Sequence, residues 1–283
     1  MKKQALTHRS YFKSYSPGDM GGLSARALLG VSRLAGGGKL PPAPFSRTPK
    51  AAKPTTFIAL GCAIFGSALG CHVPPPPGDS TSEATLTSIR DTTLYEDAGG
   101  ALGNGAGQHM FTGNTGAGRT VRVLVAFDVA GTVPAGAKIT AVELRLNMSV
   151  TSSVSATTVG LHRVLADWGE GDADAAGGEG GGAPASAGDA TWLHTFFRDT
   201  FWSSPGGDFE ASSSASVEVE DVRAYQWEST DQMVADVQMW LDDPSSNYGW
   251  LLMGDEDMTT AKRFDSRENA SEADRPSLTI TFE

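Results

Sequence analysis

Residues 121–150 read VRVLVAFDVAGTVPAGAKITAVELRLNMSV. Val121, Val123, Val125, Phe127 and Val129 alternate with Arg122, Leu124, Ala126 and Asp128. A period of two places the first set on one side of an extended chain. The β-branched residues in it suit a pleated surface, so the stretch predicts a strand with one deeply buried face. Gly131 to Gly136, with Pro134 inside it, predicts a turn. The alternation then resumes, with Val142, Leu144, Leu146, Met148 and Val150 against Glu143, Arg145, Asn147 and Ser149.

Further along the chain, Val159 and Leu161 predict a strand reaching Trp168, and Val217 and Val219 a short one. Trp250 to Met253 is a brief apolar run of the kind a central strand carries. Leu278, Ile280 and Phe282 against Thr279, Thr281 and Glu283 predict a closing strand. One helix is expected. Ser229-Thr-Asp-Gln232 has capping-box spacing, Met233, Val234, Val237, Trp240 and Leu241 form a helical stripe, and Pro244 stops it. Short strands, 34 glycines and one helix predict an all-β fold, a jelly-roll-like β-sandwich over residues 90–283. Gly169 to Ala190 is a Gly/Ala/Asp stretch between Trp168 and Trp192, and its composition predicts a disordered insertion.

The front of the chain has a different character. Residues 1–53 hold ten Lys and Arg against one acid, Asp19, and residues 54–70 hold no charge. Phe57 to Gly70 reads FIALGCAIFGSALG, too short for a membrane span and suited to a signal-peptide core. Ala68-Leu69-Gly70-Cys71 resembles a bacterial lipobox, which implies acylation of Cys71. Residues 1–70 therefore read as an N-terminal extension and signal segment, and the composition of the first part favours a start site placed too far upstream. Residues 71–89, with Pro74 to Pro77 and then Ser and Thr, read as a Pro/Ser/Thr-rich tether. The expected location is the cell envelope or beyond it, with membrane attachment only through a lipid.

Residues 71–283 hold 12 Lys and Arg against 32 Asp and Glu, a net charge of −20. Such a body repels phosphate backbones, so nucleic acid is excluded as a partner. Two cysteines exclude a disulfide-stapled scaffold. Gly113 to Thr120 nearly spells a phosphate loop, but Arg119 stands for its lysine and a strand follows where a helix is needed, so a hairpin loop is expected. Asp172 to Gly177 lacks the ligands of a calcium loop at its fifth and twelfth positions, Ala176 and Ala183. The histidines show no ligand spacing and no nucleophile elbow is present, so no catalytic set emerges. Asp255 and Asp257 read first as a solvated acidic turn. They are also the one place where a structural calcium, the only cofactor considered, would find side chains.

Aromatic residues are the stronger lead, because a flat indole matches the apolar face of a sugar ring. Trp168, Trp192 and Trp202 flank Gly-rich loops and read equally as sugar-stacking rings or as core and loop anchors, whereas Trp227, Trp240 and Trp250 sit in strand or helix patterns and read as core. For an acidic glycan, carboxylates would be met by Arg119, Lys262, Arg263 and Arg267.

Several short motifs recur in a fixed order. They are Arg119 to Asp128, Val133-Pro-Ala-Gly136, Leu144-Arg145-Leu146, His162 to Glu170 with Trp168, Ala190-Thr191-Trp192, Trp202 with Gly206-Gly207-Asp208, Asn247-Tyr248-Gly249-Trp250, Phe264 to Glu268, and Arg275-Pro276-Ser277-Leu278. In that order they resemble the DNRLRE domain, also grouped as carbohydrate-binding module family 96. Ala126 stands where family members often carry Arg. The resemblance implies a secreted β-sandwich that binds polysaccharide in some members, acidic ones among them, and it implies no catalysis. The expected function is a non-catalytic surface lipoprotein that binds a polysaccharide, neutral or acidic. The alternative is a structural or adhesion protein of the envelope that binds no sugar.

Overall fold

The computed structural model describes residues 80–283. The expected signal segment, Cys71 and most of the expected tether lie outside the described residues. The strands are β1 (Ser82–Tyr95), β2 (Leu102–Gly103), β3 (His109–Asn114), β4 (Thr120–Phe127), β5 (Ile139–Thr151), β6 (Thr157–Arg163) and β7 (Ala183–Pro184). They continue with β8 (His194–Phe196), β9 (Thr200–Phe201), β10 (Ala215–Val219), β11 (Ala224–Trp227), β12 (Trp250–Met253), β13 (Lys262–Asp265) and β14 (Ser277–Phe282). One α-helix, α1 (Asp231–Asp242), lies between β11 and β12. Among the described residues, no helix is long and apolar enough to cross a membrane.

The fold is an all-β sandwich whose main sheet closes on itself. β1 makes the closure. Its first half pairs with β14 (Ser82 opposite Phe282) and, after a register shift between Ser88 and Arg90, its second half pairs with β4 (Tyr95 opposite Val121). The ring runs on from β14 through β5, β13 and β3 back to β4. β12, β6 and β10 extend the sheet from β4, and β11 adds to β5. Residues 82–89 are thus strand where a tether was expected. Ala84 and Leu86 alternate with polar neighbours, and Leu86 joins the core.

The main core brings together Val123, Val125 and Phe127 of β4, Leu144, Leu146 and Met148 of β5, Leu278 and Ile280 of β14, and Trp227, Trp240 and Trp250. The period-two reading of β4, β5 and β14 matches the side chains found there, save Val150 near the end of β5, which is exposed. It fails for the other side of β4. Leu124 and Ala126 are buried too, packed with Leu94, Leu251, Val164, Trp168, Ala190 and Trp202 in a second apolar layer. The cover is an excursion of the chain between Val164 and Phe209, which pair with each other at its two ends. β6 accordingly stops at Arg163 and does not reach Trp168.

The Gly/Ala-rich segment 169–190 lies in this excursion and is ordered, contrary to what its composition predicts. Its strand β7 pairs with β2, far earlier in the chain. The buried Asp189 carboxylate accepts from the Ser186 N–H at 2.6 Å, and the Asn104 side-chain oxygen accepts from the Ala175 N–H at 2.9 Å. Tyr95 donates its hydroxyl to the Glu179 carbonyl at 2.9 Å. Side-chain caps replace the missing apolar bulk, and burial pushes the Asp189 carboxyl above its usual range. Gly171 is required here: its φ is 71°, and a Cβ would fall 1.4 Å from an Asp189 oxygen.

The helix begins one residue later than the capping-box spacing implies. Thr230 is the cap and accepts from the Met233 N–H at 3.0 Å. Ser229 instead accepts from the Val142 N–H at 3.0 Å, tying the helix start to β5. The predicted stripe of Met233, Val237, Trp240 and Leu241 is buried. Gly113 to Thr120 is the β3–β4 hairpin, as expected.

Candidate functional site

The three candidate sugar-stacking tryptophans do come together, but as packing. Trp168 is fully buried; its indole N–H donates to the Tyr248 carbonyl at 2.8 Å and the Arg90 guanidinium lies 4.4 Å from its ring centre. Trp202 is buried and donates to the Thr191 carbonyl at 2.9 Å. A sugar ring needs an open indole face, so neither can serve. Trp192 is half-buried behind Arg122, whose guanidinium sits 4.9 Å from its ring centre. The loops around these residues are Gly-rich because the chain must turn closely over large side chains, which a binding loop and a core-covering loop both require.

The predicted basic set does not converge on one surface. Arg119 donates to the Gly181 carbonyl at 3.0 Å, and Arg263 donates to the Ser149 hydroxyl at 3.1 Å. Lys262 is buried and donates to the Thr151 hydroxyl at 2.9 Å and the Ser153 carbonyl at 2.6 Å, pinning the chain that follows β5. Burial pushes its ammonium below the usual lysine range. Asp255 accepts from the Asp257 N–H at 2.9 Å in a turn closed on itself, and no third acidic or histidine ligand gathers on the pair among the described residues.

Arg267 has a different role. It lies after β13, in a cluster with Asp91 of β1, Glu170 just past Trp168, and Glu268. Its Nε and Nη2 donate to the two Glu170 oxygens at 2.6 and 2.8 Å, and Glu268 approaches the same Nε at 2.9 Å. Asp91 Oδ2 accepts from the Ser88 hydroxyl at 2.9 Å and the Arg267 N–H at 3.0 Å. Burial first, then the charge of Glu268, pushes the Asp91 carboxyl up to about 8. Burial and then Glu170 push Glu268 up to about 7. In the sequence Glu170 closes one motif, and Arg267 and Glu268 end another. No spacing rule could join them to Asp91, because only the closed sheet brings β1 beside the segment after β13.

These shifts fix a sign for the metal-free protein. An acid whose folded pKa lies above its unfolded value keeps a proton in the native state that the unfolded chain releases. Its contribution is intact below the unfolded pKa, 3.8 for Asp91, and is lost as pH rises toward about 8. In buffer containing a chelator, thermal unfolding followed by circular dichroism is expected to show Tm falling between pH 5 and 8, by about 3 °C or more per pH unit. A Tm that rises across that window would contradict the buried, protonated state of this cluster.

A concavity lies elsewhere. An open cleft of about 640 Å³ lies on the excursion and is lined by Arg122, Leu165, Ser203, Ser204, Asp208 and Phe209 among others. The Pro205-Gly206-Gly207-Asp208 turn shapes it. Gly206 has φ 90°, and a Cβ there would meet Arg122 Nη1 at 2.5 Å and the Trp192 ring at 2.9 Å. Asp208 caps the turn, accepting from the Ser203 and Ser204 N–H groups at 2.8 and 3.1 Å. Arg122 is already satisfied: Glu256 takes Nε and Nη2 at 2.6 and 2.9 Å, and the Gly206 carbonyl takes Nη1 at 2.8 Å. Phe209 is half-buried, edge-on to His162 at 5.4 Å and with the same Arg122 guanidinium 5.3 Å from its ring centre, which leaves the opposite face for a ligand. Arg122 was visible in sequence only as the polar half of an alternation, and Phe209 carried no signal. Compared with known proteins, the chain matches no protein-family model and no curated protein.

Proposed function

We propose that the sandwich is a non-catalytic binding module of an exported, lipid-anchored protein, related to the DNRLRE domain, and that its open cleft takes a segment of polysaccharide. The observation that carries this reading is the cleft itself. It is shallow and open, with an aromatic ring, two exposed serines and a fixed carboxylate around apolar Leu165. Sugar recognition uses that mixture, with a ring beneath C–H faces and hydrogen-bonding groups at the rim. A neutral glycan fits better than an acidic one. The cleft's guanidinium is neutralised by Glu256, Asp208 adds negative charge, and the body around it carries −20.

Glycan arrays followed by calorimetry on the full chain test this. Binding to a neutral polysaccharide is expected, with Phe209→Ala lowering affinity about tenfold, the scale of one lost aromatic contact. Silence across neutral and acidic glycans would overturn the reading and favour a structural role in the envelope. Preference for an acidic glycan would overturn its neutral specificity.

A further inference from the structure

The Asp91, Glu170 and Glu268 carboxylates are the one gathering of three acidic or histidine ligands at metal-binding separation among the described residues. One oxygen from each lies within 4.8 Å of the others. Two oxygens bound to one calcium at about 2.4 Å each can be at most about 4.8 Å apart, so each pair of the trio meets the separation that a shared ion requires. The second observation is orphaned acceptors. Asp91 is 1% exposed and its Oδ1 has no hydrogen-bond partner, although Oδ2 has two. Glu268 Oε2 is likewise buried without a partner. A native fold rarely buries an acceptor without satisfying it, and two in one carboxylate cluster point to a missing positive group.

Charge counting agrees. Among the described residues Arg267 is the one cation bonded to the cluster, and its guanidinium is spent on Glu170 and Glu268, while Asp91 receives only its backbone N–H. With all three carboxylates ionised, one guanidinium leaves an excess of negative charge, which protons balance in the metal-free protein and a divalent cation would balance in their place. Oxygen-only ligands favour a hard ion, and a set of protein carboxylates suits calcium, whose coordination is flexible, better than magnesium, which keeps several waters and requires a near-ideal octahedron.

We infer that Asp91, Glu170 and Glu268 hold one calcium ion, which clamps the start of the 164–209 excursion to β1 and to the segment after β13. The site is separate from the glycan cleft, so the two stand or fall independently. Its position gives the ion a structural task. Glu170 follows Trp168 by two residues, and Trp168 anchors the second apolar layer.

The test is calorimetry and thermal unfolding of the full chain, stripped with chelator and then titrated with calcium chloride or magnesium chloride. One calcium per chain is expected, with Tm rising by about 5 °C or more at a hundredfold excess over Kd. Magnesium is expected to bind at least about tenfold more weakly. Asp91→Asn and Glu268→Gln should each abolish the calcium-induced rise. Each replaces a carboxylate by an amide of the same shape, so the chelated variants should melt cooperatively and serve as folded controls. Absence of saturable heat and of any Tm shift up to about 10 mM calcium, beyond the weakest range of extracellular calcium modules, would overturn the inference. So would calcium binding of unchanged strength in both variants.

Discussion

Replacing Trp168 by alanine is expected to cost ~3–5 kcal/mol and to lower Tm by about 10 °C, because it empties the centre of the second apolar layer. The side chain is fully buried, its N–H is bonded to the Tyr248 carbonyl, and Arg90 lies over the ring. Deleting it removes packing for Leu124, Ala126 and Leu251 on the outer side of β4 and β12 together. The Arg90 guanidinium would lose its ring, and the Trp168 carbonyl that Arg90 also contacts would shift with the backbone. Trp192→Ala is the internal comparison. That ring is half-buried and outside the fully packed set, so its loss is expected to cost under about 2 kcal/mol. Urea unfolding of the two variants measures the contrast. Equal and small costs would mean that the excursion does not form a second core.

The other large effect is expected at Asp236. Its carboxylate is fully buried inside the sandwich on α1. It accepts from the Ser214 hydroxyl at 2.5 Å, the Trp250 indole at 2.9 Å and the Gln232 amide at 3.0 Å, with the Arg163 Nε at 3.3 Å. One side chain thus ties the helix to β12, to the end of β6 and to the segment leading into β10. Asp236→Leu leaves these donors without an acceptor and an arginine without its buried counter-charge, at an expected cost of ~3–5 kcal/mol. Asp236→Asn keeps one acceptor oxygen and should lose about half as much. Urea midpoints at constant m-value measure both. A leucine variant as stable as the parent would mean that the network is replaceable by apolar packing.

Much of the sheet was legible because its strands bury one face in the main core, and a period of two survives in Val142, Leu144, Leu146 and Met148. The rest was hidden for specific reasons. Leu124 and Ala126 fill the polar half of an alternation, so the pattern could not announce a second buried side. The 169–190 segment lacks large apolar residues, and composition reads that as disorder. What orders it is a few single contacts from Asn104, Tyr95 and Asp189, two of them from outside the segment. The helix cap moved to Thr230 because Ser229 was taken by β5, a tertiary demand that local spacing does not contain. At the candidate site the individual motifs were visible, but their meeting points were not. Tryptophans beside glycines look alike whether they face a ligand or fill a core, and only burial separates Trp168 and Trp202 from a surface ring.

The pairing of β1 with β14 also has a mechanical consequence. Ser82 and Phe282 sit on the same rung of that antiparallel ladder, so the first and last strands enter and leave at one corner. A force pulling those two points apart acts across the rungs and breaks them singly, from the Ser82 rung inward. Resistance is then set by one or two bonds at a time, so under such a load the corner opens at low force and peels back toward Thr87 and Ser277 before the core around β4 is strained.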